Sequence, residues 1–139
     1  MAFLLLSCRS SVIEFDLETN TVYTLENYPI EMLHIYMENA RKSFCISKVD
    51  TLAGSSRIKL DSLGENYKII VERSSNLLPL EDSKSMWFVP SEIYEISHSY
   101  GDAATSTIFV VTDENGKVKR WFKNRMDYEK QKRNWGRFR

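Results

Sequence analysis

The feature that most constrains this chain lies near its C-terminal end. There Thr107-Ile108-Phe109-Val110-Val111-Thr112 and Lys117-Val118-Lys119-Arg120-Trp121-Phe122 bracket Asp113-Glu114-Asn115-Gly116. Asn-Gly supplies the positive φ values that a tight hairpin turn demands, so residues 107–122 are predicted to form an antiparallel hairpin. Alternation puts Ile108, Val110 and Val118 on its buried face and leaves Thr107, Lys117 and Lys119 toward solvent.

Other segments carry the same period of two. Ile13, Phe15 and Leu17 alternate with Glu14 and Asp16, and Thr21-Val22-Tyr23-Thr24-Leu25 follows a Glu18-Thr19-Asn20 turn, so 11–25 reads as a second hairpin. Phe44 to Val49, Arg57 to Leu60, Tyr67 to Glu72, Met86 to Val89 and Glu92 to Ile96 are further strand candidates, with Pro90 marking an edge, bulge or bend. A helix is predicted from 29 to 42. Pro29 suits its first position, Ile30, Leu33, Met37 and Ala40 form one stripe, and Glu31 and Arg41-Lys42 suit the helix dipole at either end. Asn124 to Trp135 reads as a second helix, ended by Gly136. These elements predict an α+β fold: a bent, mainly antiparallel sheet or small partly open barrel of short strands, with one helix near residues 29–42 and one at the C-terminus.

The 139 residues fit a single globular domain, 1–139, with 42% apolar and 27% charged residues, near the globular norm. Cys8 and Cys45 have neither a disulfide framework nor the paired spacing of a zinc site, so both are expected to be reduced, unligated and structural. The apolar run Phe3 to Leu6 is too short for a secretory signal and reads as a buried strand. No stretch approaches the roughly 18 apolar residues of a membrane span. A cytoplasmic chain with no membrane partner is the expectation.

Charge is unevenly distributed. Residues 1–116 hold nine Lys/Arg against 17 Asp/Glu, a net of −8, while residues 117–139 hold ten against two, a net of +8. Such asymmetry marks either a basic tail for an acidic partner or nucleic acid, or a tail that folds back on its own acidic body. Basic groups pair with phosphates and aromatic faces stack on unpaired bases. The candidate contact residues are therefore Lys119, Arg120, Lys123, Arg125, Lys130, Lys132, Arg133, Trp135, Arg137 and Arg139. The alternative role for this segment is structural: Trp121, Phe122, Tyr128 and Trp135 as core anchors and the cations as cover for the acidic body.

Other chemistry is sparse. His34 as base and Cys45 or Cys8 as nucleophile would make a thiolate, but neither cysteine sits in a recognisable motif, and free Cys is among the most often buried residue types. His98, Tyr100 and Asp102 alternate on one loop and are too few for a specific metal site. Glu92, Glu95 and the Glu81-Asp82 pair are expected on a solvated face. The glycines are isolated, with no phosphate-cradling motif. No cofactor or metal is expected. The sequence thus points to a non-enzymatic binding protein whose basic, aromatic C-terminal element contacts nucleic acid or an acidic protein surface. One alternative is a small regulator or inhibitor, of the kind a virus or mobile element encodes, that docks on a larger host protein. Another is a nucleotide-type small-molecule binder or small enzyme, which would need a pocket lined by residues such as Tyr, Trp and Arg.

Overall fold

The computed structural model describes residues 11–99 and 104–137, the last four by backbone alone. Period-two alternation builds two antiparallel sheets. The strands are β1 (Ile13–Asp16), β2 (Thr21–Thr24), β3 (Met32–Met37), β4 (Lys42–Lys48), β5 (Arg57–Lys59), β6 (Tyr67–Ile70), β7 (Ile93–His98), β8 (Ser106–Thr112) and β9 (Val118–Phe122), followed by one helix, α1 (Arg125–Arg137). The small sheet has the order β1-β2-β5 and the large one β6-β4-β3-β7-β8-β9, so the sheet is not closed into a barrel. The expected strand at Phe3 to Leu6 lies outside the described residues.

One apolar core joins the inner faces of both sheets. Ile13, Phe15, Val22 and Ile58 from the small sheet meet Leu33, Ile35, Met37, Ile46, Ile69, Ile96, Ile108 and Val110 from the large one. Side chains alternate along a strand, so the neighbours of these residues form the outer face of the large sheet. Two tyrosine hydroxyls satisfy backbone groups at the ends of the core. Tyr67 Oη donates to Ile30 O at 2.6 Å and accepts from Ser55 N at 2.7 Å. Tyr94 Oη accepts from Val89 N at 2.7 Å, and burial pushes its phenol up to about 12.

The predicted hairpin is present, with Ile108, Val110 and Val118 buried and Lys117 and Lys119 exposed. Its turn is a four-residue one in which Gly116 alone takes a positive φ, 81°. Asp113 Oδ1 accepts from Asn115 N at 2.8 Å and Lys117 N at 2.9 Å, and a bulge follows between Val111 and Thr112. Glycine is required at 116 twice over, since a Cβ there would also come within 2.8 Å of Phe88 O.

The helix expected over 29–42 is not formed. That stretch contains β3, the turn 38–41 and the start of β4. Leu33 and Met37, four residues apart, satisfy a helical stripe and a strand face equally. Ile35 decides between the two, because it is buried while His34 and Tyr36 are exposed, the strict alternation of a strand. The expected strand over Met86 to Val89 is likewise irregular. Met86 N still donates to Leu60 O at 2.8 Å, but Pro90 lacks a donor and Ser91 takes φ 53°, which bends the chain out of any ladder.

The turn that replaces the helix is held by a residue expected on a solvated face. Glu92 is 2% exposed, and its carboxylate accepts from Asn39 N at 2.8 Å, Ala40 N at 2.9 Å and Ile93 N at 2.7 Å. Its own N–H donates to Thr112 Oγ1 at 2.8 Å, and Thr112 Oγ1 donates to Val89 O at 2.7 Å. Replacing Glu92 by Ala takes the buried acceptor away from three backbone N–H groups, so a loss of about 2–4 kcal/mol is expected in urea denaturation at pH 7. A variant within about 0.5 kcal/mol of the wild type would contradict this role.

Candidate functional site

The basic C-terminal element begins on β9 and continues through α1. Asn124 caps the helix, its Oδ1 accepting from Asp127 N at 2.8 Å, and Asp127 places a negative charge in the first turn. Tyr128 fixes the helix to the outer face of the large sheet. It is 2% exposed, stacks on Phe109 at 5.9 Å between ring centroids, and meets Phe122 edge-on at 5.8 Å. Phe109 and Phe122 are register partners on β8 and β9, which is why one aromatic ring can cover both.

The ten candidate residues divide into groups. Lys119 lies 3.8 Å from Asp113, and Arg120 Nη1 donates to Gln131 Oε1 at 3.5 Å. Lys123 Nζ is 2.6 Å from Glu14 on β1. Arg125 bonds Glu38 at 2.8 Å and lies 3.3 Å from Glu95 and 3.8 Å from Glu129, its guanidinium 5.1 Å over the Phe109 ring. Lys119, Lys123 and Arg125 bind the element to the acidic body, whereas the Arg120 bond to Gln131 lies within the element. Lys132 Nζ sits 5.9 Å over the Tyr128 ring and remains exposed. Lys130 and Arg133 are exposed and form no ion pair with another described residue. With Met126 they share the helix face opposite Tyr128, by their spacing of four and three residues. Trp135 and Arg137 are in the last helical turn, where only backbone is described, and Arg139 lies outside the described residues.

The internal pairs shift the groups that make them. The hydrogen bond from Lys123 holds Glu14 below the usual carboxylate range, and the same bond raises Lys123. Burial raises Glu95, the adjacent Glu38 charge adds to this, and Arg125 opposes both.

Other sequence candidates are redistributed. His34 and Cys45 are register partners on β3 and β4, and the structure brings Cys45 Sγ within 3.3 Å of His34 Nδ1 on the open outer face. Burial, then the Glu72 charge, pushes the Cys45 thiol up, which disfavours the thiolate a nucleophile needs. Cys8 lies outside the described residues. His98 is not in a solvated loop: it ends β7 at 1% exposure, with Nδ1 2.8 Å from Ser11 O and Nε2 without a hydrogen-bond partner among the described residues. Tyr100 and Asp102 lie outside the described residues. Among the described residues, no group of three His, Cys, Asp or Glu side chains is arranged to hold a metal ion, and no helix is long and apolar enough to cross a membrane.

A hollow of about 510 Å³ contains Tyr23, Arg57 and Trp121, the residue types a nucleotide pocket calls for. Asp16 and Glu18 line it as well, so two carboxylates face one guanidinium, and Arg57 already lies 5.1 Å over the Tyr23 ring. That balance repels a phosphate. Residues that sequence reasoning passed over line further hollows: Arg41, Lys42 and Arg73 line one, and Tyr36 lines another, with Ser43 common to both. No spacing signals the first group, because β4 and β6 bring its members together from separate parts of the chain.

No protein-family model, curated protein or solved structure matches this chain.

Two measurements check these assignments. Glu14 is depressed in the folded state, so its pair with Lys123 stabilises the fold fully above the ordinary carboxylate range, and this contribution disappears as pH falls through the lowered value. The difference in Tm between wild type and Glu14→Gln should therefore be present at pH 7 and shrink below about pH 4; a pH-independent difference would rule out the ionic latch. For Cys45, in a Cys8→Ser background, the rate of alkylation by iodoacetamide should keep rising beyond the ordinary thiol value of about 8.5. A plateau by neutral pH would reinstate an activated thiolate.

Proposed function

We propose that this chain is a non-enzymatic binding protein that presents the outward face of α1 to a polyanion, with nucleic acid the favoured class over an acidic protein surface. The observation that carries this reading is the division of labour among the C-terminal cations. Lys119, Lys123 and Arg125 are engaged with the acidic body, whereas Lys130 and Arg133 stand exposed on a helix that Tyr128 anchors from its opposite face. Neutralising one part of the element against the chain's own carboxylates lets the other part face outward as a net positive ridge on an otherwise acidic molecule. Such a ridge supplies the counterion-releasing contacts of nucleic-acid binding. The reading implies a reducing, cytoplasmic setting in which Cys45 remains a free thiol.

Binding to a labelled single-stranded or duplex oligonucleotide, titrated against salt, tests it. The plot of log K against log salt should lose about 0.7 to 0.9 units of slope for each phosphate contact removed by Lys130→Ala or Arg133→Ala, with no change in urea midpoint. Slopes identical to wild type in both variants would show that α1 is only structural. If the same substitutions instead slow association with a protein partner, the acidic-protein alternative takes over.

A further inference from the structure

The small sheet ends at β5, and its hydrogen-bond parity leaves one donor and one acceptor open on that edge. Thr24 N donates to Ser56 O at 3.0 Å and Leu60 N to Asn20 O at 2.9 Å, so in the same register Ile58 exchanges both of its backbone bonds with Val22. The backbone groups of Ser55, Arg57 and Lys59 therefore point away from β2. Most of them are taken. Ile30 N donates to Ser55 O at 2.8 Å, Ser55 N to Tyr67 Oη at 2.7 Å, Arg57 N to Ser55 Oγ at 3.1 Å and Ser62 N to Lys59 O at 3.1 Å. Arg57 O and Lys59 N, on either side of Ile58, have no hydrogen-bond partner among the described residues. A hollow of about 530 Å³ runs beside this edge, with Arg57, Lys59, Ser62, Gly64 and Asn66 in its lining. A Cβ at Gly64 would meet no atom within 4 Å, so the far wall is open there.

An edge with open backbone groups is a template for another strand. A second copy of this chain would satisfy the backbone, because a two-fold axis at Ile58 pairs each Lys59 N with the Arg57 O of the other copy. The side chains oppose it. That pairing sets Arg57 directly opposite Lys59 of the other copy, twice, with Cβ atoms about 5 Å apart, where like charges destabilise the pair. Both side chains are exposed. Arg57 forms no ion pair with a described residue and lies 5.1 Å over the Tyr23 ring, while Lys59 is 3.8 Å from Asp61. The same two cations attract a strand that carries carboxylates at the facing positions. Glu65, which also lines the hollow, opposes such a strand in part.

We propose that the open edge of β5 docks an extended segment of a partner protein in which two acidic residues flank an apolar one. The acidic residues lie opposite Arg57 and Lys59 on the solvent face, and the apolar residue lies opposite Ile58 on the core side, since side chains alternate along a strand. In a parallel register the apolar residue alone makes both backbone bonds, donating to Arg57 O and accepting from Lys59 N. In an antiparallel register the two acidic residues make one bond each. The site shares no residue with the outward face of α1 and stands or falls separately from it.

The test is a titration of the isotopically labelled full chain, followed through its backbone amide resonances, with the blocked pentapeptide threonine-glutamate-valine-glutamate-threonine. The Lys59 amide should be among the resonances that shift most, and the peptide with lysine at both glutamate positions should bind at least about threefold more weakly. N-methylation at valine should abolish binding in a parallel register, and N-methylation at the second glutamate should abolish it in an antiparallel one. Lys59→Thr, which keeps the backbone donor, should weaken binding about 1.4- to 5-fold, the range of one exposed ion pair. Lys59→Pro removes that donor and leaves the ladder to β2 intact, so it should abolish binding. Should Lys59→Pro not fold, the N-methylated peptides make the same test from the ligand side. Arg57→Glu combined with Lys59→Glu should reverse the preference in favour of the lysine peptide, and Lys130→Ala/Arg133→Ala should leave every affinity at the wild-type value. The proposal is overturned if the Lys59 amide does not respond at millimolar peptide, if the lysine peptide binds the wild type as well as the glutamate peptide does, or if neither N-methylation weakens binding. It is equally overturned if a folded Lys59→Pro binds like wild type, or if the Lys130/Arg133 variant loses the peptide, which would move the acidic ligand to α1.

Discussion

The register of the large sheet depends on where the Glu92 carboxylate is placed. Its oxygens take the N–H groups of Asn39 and Ala40 from the β3–β4 turn and of Ile93 at the start of β7, while its backbone meets Thr112 at the end of β8. A buried carboxylate with donors on all sides admits little displacement, since moving a strand by one residue would leave it unpaired. A slip of one residue would also exchange the faces of the sheet. Tyr36, His34 and Glu95 would then enter the core, and Ile35 and Ile96 would face solvent. Which residues make up the outer face follows from this register.

Electrostatics organises the exterior on a coarser scale. The basic C-terminal segment and the acidic remainder are opposite in sign along the chain, and folding brings part of one against part of the other. Arg125 sits where Glu38, Glu95 and Phe109 converge, and Lys123 reaches Glu14 on the small sheet. These exposed and half-exposed pairs contribute modestly to stability, and their larger effect is to choose which cations remain outside. The proposed contact region on α1 consists of cations left without such partners. The outer face of β3 and β4 carries Tyr36, His34 and Cys45, with no described element covering it.

Much of the fold was legible from local pattern. The Asn115-Gly116 hairpin, the 11–25 hairpin, the strands around Ile46, Ile58 and Ile69, and the C-terminal helix follow from alternation, turn chemistry and the lack of Pro or Gly through Asn124 to Trp135. The misreading of 29–42 has a definite cause. Leu33 and Met37 fit both periods, and the terminal charges suited a helix dipole. The discriminating signal, Leu33-His34-Ile35-Tyr36-Met37, was present as a five-residue alternation inside the longer apparent stripe. Glu92 was illegible for another reason: nothing local distinguishes a carboxylate that will cap a distant turn from one that will face water.

The sequence by itself determined the class of fold, the position of the last hairpin, and the charge asymmetry of the C-terminal segment, because each of these rests on neighbours within a few residues or on composition. The tertiary structure alone decided which cations are neutralised and which are left free. It also put Cys45 against His34 and gathered Arg41, Lys42 and Arg73 at one hollow. Those outcomes depend on strand order and register, which bring residues dozens of positions apart into contact, and no local period in the chain encodes that distance.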